Sequence, residues 1–136
     1  MQKVTPFLTF IGQAEAAITF YMSVFEGAGE PSVLSIRRYG ADAGELAGKV
    51  QRAVFSIYGQ QIQCIDSPAV HAWSLTPAVS LFVQCGEEIN ALYDRLSQGG
   101  KVHMPLERYP FSEAYAWLDD RFDVSWQLCR EEPHWR

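Results

Sequence analysis

Cysteine is scarce in this chain. Its three copies, Cys64, Cys85 and Cys129, are odd in number and include no C-x-x-C pair. That spacing excludes a zinc ribbon and argues against a disulfide framework, so three free thiols in a reducing cytoplasm are expected. Apolar runs never exceed a few residues, far short of a membrane span. The opening MQKVTPFLTF lacks the apolar region and small-residue cleavage site of a secretory leader, so none is expected. Basic charge is also in short supply: 11 Lys and Arg face 16 Asp and Glu, a formal charge of −5. Nucleic acid is bound by clustered cations that displace counterions, so no such partner is expected. The adjacent pair Arg37-Arg38 reads as a solvated strand edge. Glycine never falls in the strand–loop–helix pattern that cradles a nucleotide or S-adenosylmethionine, and no Ser–His–Asp pattern stands out.

What is present is a core-forming composition. With 48% apolar and 20% charged residues, 136 residues suffice for one domain, 1–136. Residues 4–11 read as a strand. Residues 13–26 read as a helix, with Ala14, Ala17, Ile18, Tyr21, Met22 and Phe25 on one stripe and Gly27 and Gly29 as its stop. A strand follows at 32–39, then a glycine-rich loop at 40–48 expected to be mobile, then two strands joined at Gly59-Gln60. After the connector SPAVHAWSLTP the pattern restarts. A strand at 77–85 precedes a helix at 87–98 bearing Ile89, Leu92, Tyr93 and Leu96, stopped by Gly99-Gly100, and three more strands complete the chain.

The restart is an internal repeat at an offset of 72. Phe10 falls on Phe82, Ile11 on Val83, Glu15 on Glu87, Tyr21 on Tyr93 and Gly27 on Gly99, and further on Arg38-Tyr39 falls on Arg108-Tyr109 at an offset of 70. The order of elements predicts an α+β fold of two βαβββ modules, module one 1–68 and module two 76–130. Each helix covers one face of a four-stranded sheet and leaves the other open. Two open faces set together form a cupped mixed sheet with the helices on the outer face. Period-two alternation assigns the open face. On the fifth strand it selects Ala78, Ser80 and Phe82, and by the same phase Pro6, Leu8 and Phe10 on the first. The fourth strand supplies Gln61, Gln63 and Ile65, and the eighth Ser125, Gln127 and Cys129. A solvent-facing sheet shows the same alternation, so pocket wall and plain surface stand level on periodicity alone.

The paired modules, the helix AEAAITFYMSVF, the loop after RRYG and the ending DDRFDVSWQL resemble the glyoxalase/bleomycin-resistance (vicinal oxygen chelate) superfamily, and within it the PhnB-like branch. The branch usually has glycine where this chain has Asp123, which also tolerates a left-handed turn. The resemblance implies four metal-ligand positions on the first and fourth strands of each module: Pro6, Gln63 (or Cys64, one residue on), Ala78 and Gln127. Proline and alanine cannot ligate through side chains, and glutamine brings no charge, so no metal and no cofactor are expected. The implied function is binding of a small polar or aromatic ligand, with no membrane partner, and a homodimer is expected because the open sheets need covering. The alternatives are a lyase, isomerase or dioxygenase with a metal on shifted ligands such as His103, Glu107 or Cys64, and a drug-sequestering resistance protein. The branch often carries a ubiquinone-pathway methyltransferase label, which the residues do not support.

Other candidates read as structural. His71 and His134 lack ligand-spaced partners; His103 is the histidine that could reach the open face. Asp119, Asp120 and Asp123 form an acidic turn without calcium-loop spacing and read as solvated. Cys129 reads as an inert buried thiol, and Trp126 as packed under a helix.

Overall fold

A computed structural model describes residues 2–68 and 78–130. The chain forms two compact units, Met1–Ala72 and Trp73–Arg136. His71, His134 and most of the connector lie outside the described residues. Each unit is a βαβββ module. The first runs β1 (Phe7–Phe10), α1 (Ala14–Val24), β2 (Ser32–Arg38), β3 (Val50–Ile57) and β4 (Gln60–Asp66). The second runs β5 (Ser80–Cys85), α2 (Ile89–Ser97), β6 (Lys101–Tyr109), β7 (Ser112–Asp119) and β8 (Ser125–Arg130). The sheets are ordered β1-β4-β3-β2 and β5-β8-β7-β6. In each, the outer pair β1–β4 or β5–β8 is parallel and the rest antiparallel. Among the described residues no helix is long and apolar enough to cross a membrane.

The helices sit where their stripes direct them. Ala14, Ala17, Ile18, Tyr21 and Val24 of α1 are buried against β3 and β4, and Tyr21 stacks on Phe55 of β3 with ring centroids 5.8 Å apart. On α2 the buried residues are Ile89, Leu92 and Leu96, set on β6, β7 and β8. Met22 and Tyr93, both placed on these stripes by spacing, are only half-buried, at the stripe margins. The β3–β4 turn carries Tyr58 and Gly59 at φ 52° and 76°. Two left-handed residues in succession make the tight hairpin whose twist matches its strands. After α2, Gly99 has φ 72°, and a Cβ on Gly100 would collide with the Asp119 carbonyl oxygen. Glycine is needed there for close approach as well as for the helix stop. The stretch read as a mobile loop contains a 3-10 segment, Ala41–Leu46, kinked at Gly44. Its short bonds, Ala43 N–H to Gly40 O and Ala47 N–H to Gly44 O, give it structure of its own.

Candidate functional site

Residues paired across a ladder share a sheet face. In the first module Ala53 pairs with Cys64 and Phe55 with Ile62, all four fully or almost fully buried on the α1 side. The alternate pairs, Val54 with Gln63 and Ser56 with Gln61, therefore face away from the helix. On β1, Phe7 pairs with Gln63, whereas Leu8 pairs with Cys64 and Phe10 with Asp66. This corrects the alternation read from sequence. Leu8 and Phe10 belong to the helix-covered face, Phe10 at 4% exposure, and Pro6 shares their phase. Pro6 contributes only its carbonyl, which accepts from Gln63 N–H at 2.9 Å. The open-face residues here are Thr5, Phe7 and Thr9.

The cause is the offset. Phe7 pairs with Gln63 as Phe82 pairs with Gln127, so the strands match at 75 residues, not 72. The helices agree, since Ala14 opens α1 and Ile89 opens α2. An odd offset inverts the period-two phase. The glutamines themselves, 64 residues apart, are equivalent positions of the two sheets.

Gln63 is held rigidly. Its Oε1 accepts from Arg52 Nη2 at 2.7 Å and Nε at 3.0 Å, and its Nε2 donates to Thr5 Oγ1 at 2.9 Å. Arg52 reaches it because it stands two residues before Val54, the partner of Gln63, and so shares its face. Arg37 pairs with Arg52 and Arg38 with Val50, which leaves Gln51 as the extra residue. Arg37 and Arg38, successive residues of β2, take opposite faces. Arg38 turns to the helix side and grips Glu15 of α1 through two bonds of 2.7 and 2.8 Å. Arg37 lines a cavity of about 420 Å³ with Phe7, Tyr39, Gln51, Arg52 and Ile65. Tyr39 is fixed by its hydroxyl, which donates to the Asp66 carbonyl at 2.9 Å. Arg37 and Arg52 are the residues that reading the sequence missed, because a bulge leaves no local signature. Gln61 has its Oε1 buried without a partner among the described residues.

The second module surrounds its glutamine with neutral groups. Tyr115 O–H donates to Gln127 Oε1 at 2.6 Å. Ser125, 3% exposed, bonds Ser80 Oγ at 2.6 Å and accepts from Trp117 Nε1 at 2.9 Å. Phe82, opposite Gln127, is 44% exposed. Ala78 precedes β5 and is exposed. Burial pushes the Tyr115 phenol above its ordinary range, helped by Cys129 and Tyr109. His103 does reach this face: its ring lies 4.6 Å from that of Trp117. His103 Nε2 stands 3.0 Å from Asp119 Oδ2, without the alignment of a hydrogen bond.

The acidic turn is not uniformly solvated. Asp120 is 1% exposed. Its Oδ1 accepts from Phe122 and Val124 N–H at 2.7 and 3.1 Å, and its Oδ2 from Trp126 Nε1 at 2.9 Å. This bonding pins the β7–β8 turn, in which Asp123 takes φ 67°. Asp66, also 1% exposed, accepts from the first amide of α1, Ala14 N–H, at 2.9 Å and from Val50 N–H at 3.0 Å. At the start of α2, Glu88 takes Gly86 N–H at 2.8 Å. The first amide of α1 is thus served by the chain's own Asp66, whereas the Glu88 side chain bonds an amide that precedes α2. Cys64 and Cys85 are buried, and burial above all pushes both thiols up to about 12, with Asp66 and Glu88 adding to it. Cys64 lies on the covered face and is a core residue, so it cannot be a ligand on the open one.

A metal does not fit the residues at these positions. The open-face pairs are Phe7–Gln63 and Phe82–Gln127. Both glutamine oxygens already accept hydrogen bonds, one from a guanidinium whose charge repels a dication. Among the described residues no group of three or more His, Cys, Asp or Glu could hold a metal ion. Glu107, offered with His103 as a shifted ligand, stands opposite Tyr115 across β6–β7 and belongs to no such group among the described residues.

Residues 2–129 match the family described as 3-demethylubiquinone-9 3-methyltransferase. The chain belongs to this family. Its PhnB-like character is carried by a solved Bacillus cereus structure, a "putative 3-demethylubiquinone-9 3-methyltransferase, PhnB protein". That structure is 43% identical over 96% of this chain and 100% of its own, with a TM-score of 0.89. A Pseudomonas aeruginosa protein matches in fold at 21% identity, 96% and 98% coverage and a TM-score of 0.77. The fosfomycin resistance protein of Listeria monocytogenes, solved with Mn(II) and sulfate, does so at 10% identity, 98% and 94% coverage and a TM-score of 0.64. The fold is therefore the glyoxalase-like one of two βαβββ modules. No curated protein matches the chain.

Proposed function

We propose that this PhnB-like protein binds a small polar or aromatic molecule on the open face of its first module, without metal ligation and without methyl transfer. One observation carries the reading. The cavity of about 420 Å³ beside Gln63 combines aromatic and aliphatic walls with fixed polar groups. That is the size and make-up of a small-molecule site. Phe7, 51% exposed on β1, offers a ring for stacking. The methyltransferase chemistry in the family's name finds no support in the residues. The turn from β1 to α1 is Ile11-Gly12-Gln13, with a single glycine, and the helix amide beyond it is taken by Asp66.

A homodimer is part of the proposal. The edge strand β2 exposes Val33, Leu34 and Ile36 by 40% or more each, and an uncovered apolar edge invites a second copy. Sedimentation equilibrium tests it, and a monomer at all concentrations would remove that part. The binding reading is tested by a thermal-shift panel of small aromatic and polar compounds, run with and without chelator. Saturable stabilisation that survives chelation is expected. Near-stoichiometric metal in untagged, undialysed protein, on which any binding depends, would overturn it.

A further inference from the structure

We propose that the cavity on the first module is an anion site, in which Arg37 and Arg52 jointly hold the carboxylate or phosphate group of a small ligand whose apolar body lies against Phe7 and Ile65. This rests on the reading that the face binds a ligand, and it names the ligand's chemical class. Arg37 and Arg52 are direct cross-strand partners lining one cavity. Like charges directly opposite each other destabilise a sheet unless something neutralises them. Among the described residues neither Arg37 nor Arg52 meets a carboxylate.

The donors that remain suit an oxyanion. Arg52 directs Nε and Nη2 at Gln63, which anchors the guanidinium and leaves Nη1 for a ligand. Arg37 has no hydrogen-bond partner among the described residues, so its planar fork of donors is available for bidentate contact. Another usual kind of anion site, the N-terminus of the first module's helix, is already served by Asp66. The second module lacks the pair. Glu107 and Tyr115 stand where Arg37 and Arg52 stand, so the site belongs to the first module alone.

The test uses the full chain with benzoate and phenyl phosphate as anionic probes and benzamide as the neutral one, read by backbone amide shifts and calorimetry. Arg37→Gln is the central variant because the Arg37 side chain makes no hydrogen bond or ion pair among the described residues, so its loss leaves the fold intact. Arg52→Gln accompanies it, and Arg108→Gln on β6 controls for net charge. Saturable binding of either anion is expected, weakened about tenfold or more in Arg37→Gln and Arg52→Gln but unchanged in Arg108→Gln. Tighter binding of phenyl phosphate would point to a phosphate ester, and tighter binding of benzoate to a carboxylate; both support the site. Anion binding equal in Arg37→Gln and the parent would overturn it. Benzamide binding as tightly as benzoate would overturn the anion assignment while leaving a ligand face. Failure of all three probes would remove both readings.

Discussion

The two modules share a scaffold and differ in charge at the same places. In each sheet a glutamine stands on the open face beside a phenylalanine, at one register. Two residues before each glutamine's antiparallel partner stands the side chain that binds its Oε1: Arg52 in the first module, Tyr115 in the second. Across the sheet these face Arg37 and Glu107 respectively. The backbone thus sets the glutamine's place, while the neighbouring strand sets the charge around it. One open face is cationic and hollow; the other sets a web of neutral groups, Ser80, Ser125, Trp117, Tyr115 and Gln127, beside Glu107 and the His103–Asp119 pair. Function is to be sought where the copies diverge in chemistry, not where they coincide in fold.

The largest effects should come from the buried carboxylates that hold each module in a different way. Asp120→Ala strands three donors at the β7–β8 turn and should cost on the order of 3 kcal/mol in urea unfolding. Asp66→Ala strands two backbone amides and should cost about 2 kcal/mol. Losses under about 1 kcal/mol in both would break the view that each module hangs on one such group.

A mid-sized effect should be common to both modules. Cys64 in the first and Cys85 in the second are pushed from 9.0 up to about 12, chiefly by burial. A thiol whose folded value is raised favours the protonated native state, so its contribution is whole below pH 9 and lost as pH climbs from 9 toward 12. Thermal melts across that window should fall steadily, and Cys64→Ala should flatten part of the fall. Rapid labelling of either thiol at pH 8 without denaturant would contradict the burial assigned to it. The smallest effect belongs to Arg38 and Glu15. Arg38 holds the Glu15 carboxyl below its usual value, but both are solvent-exposed. Arg38→Gln should leave the melting temperature within error, with any difference vanishing as acid protonates Glu15. A drop comparable to that of Asp66→Ala would show the pair to be structural.

Much of the fold was legible because helix stripes and strand order are written locally. The α1 and α2 stripes each named most of their buried residues, and Gln63, Ser80, Phe82, Ser125 and Gln127 were placed on the faces they occupy. What failed has physical reasons. β1 is four residues of FLTF with no polar alternation, so its phase was taken from an identity between Phe10 and Phe82 that the register does not support. The Arg37–Arg52 meeting depends on a bulge, which no residue type announces. The role of Asp120 was partly readable, since an aspartate can bond an amide two residues on. Its bond to the Trp126 indole needed the turn to be closed first.

The most direct measurement exchanges the divergent pair. Arg37→Glu with Arg52→Tyr gives the first module the residues of the second, and phenyl phosphate binding is then followed by calorimetry on protein whose melt confirms folding. The account predicts a folded protein that no longer binds the anion. Folded protein that binds phenyl phosphate as the parent does would contradict it, because the charge difference between the two open faces would then have no bearing on what the chain binds.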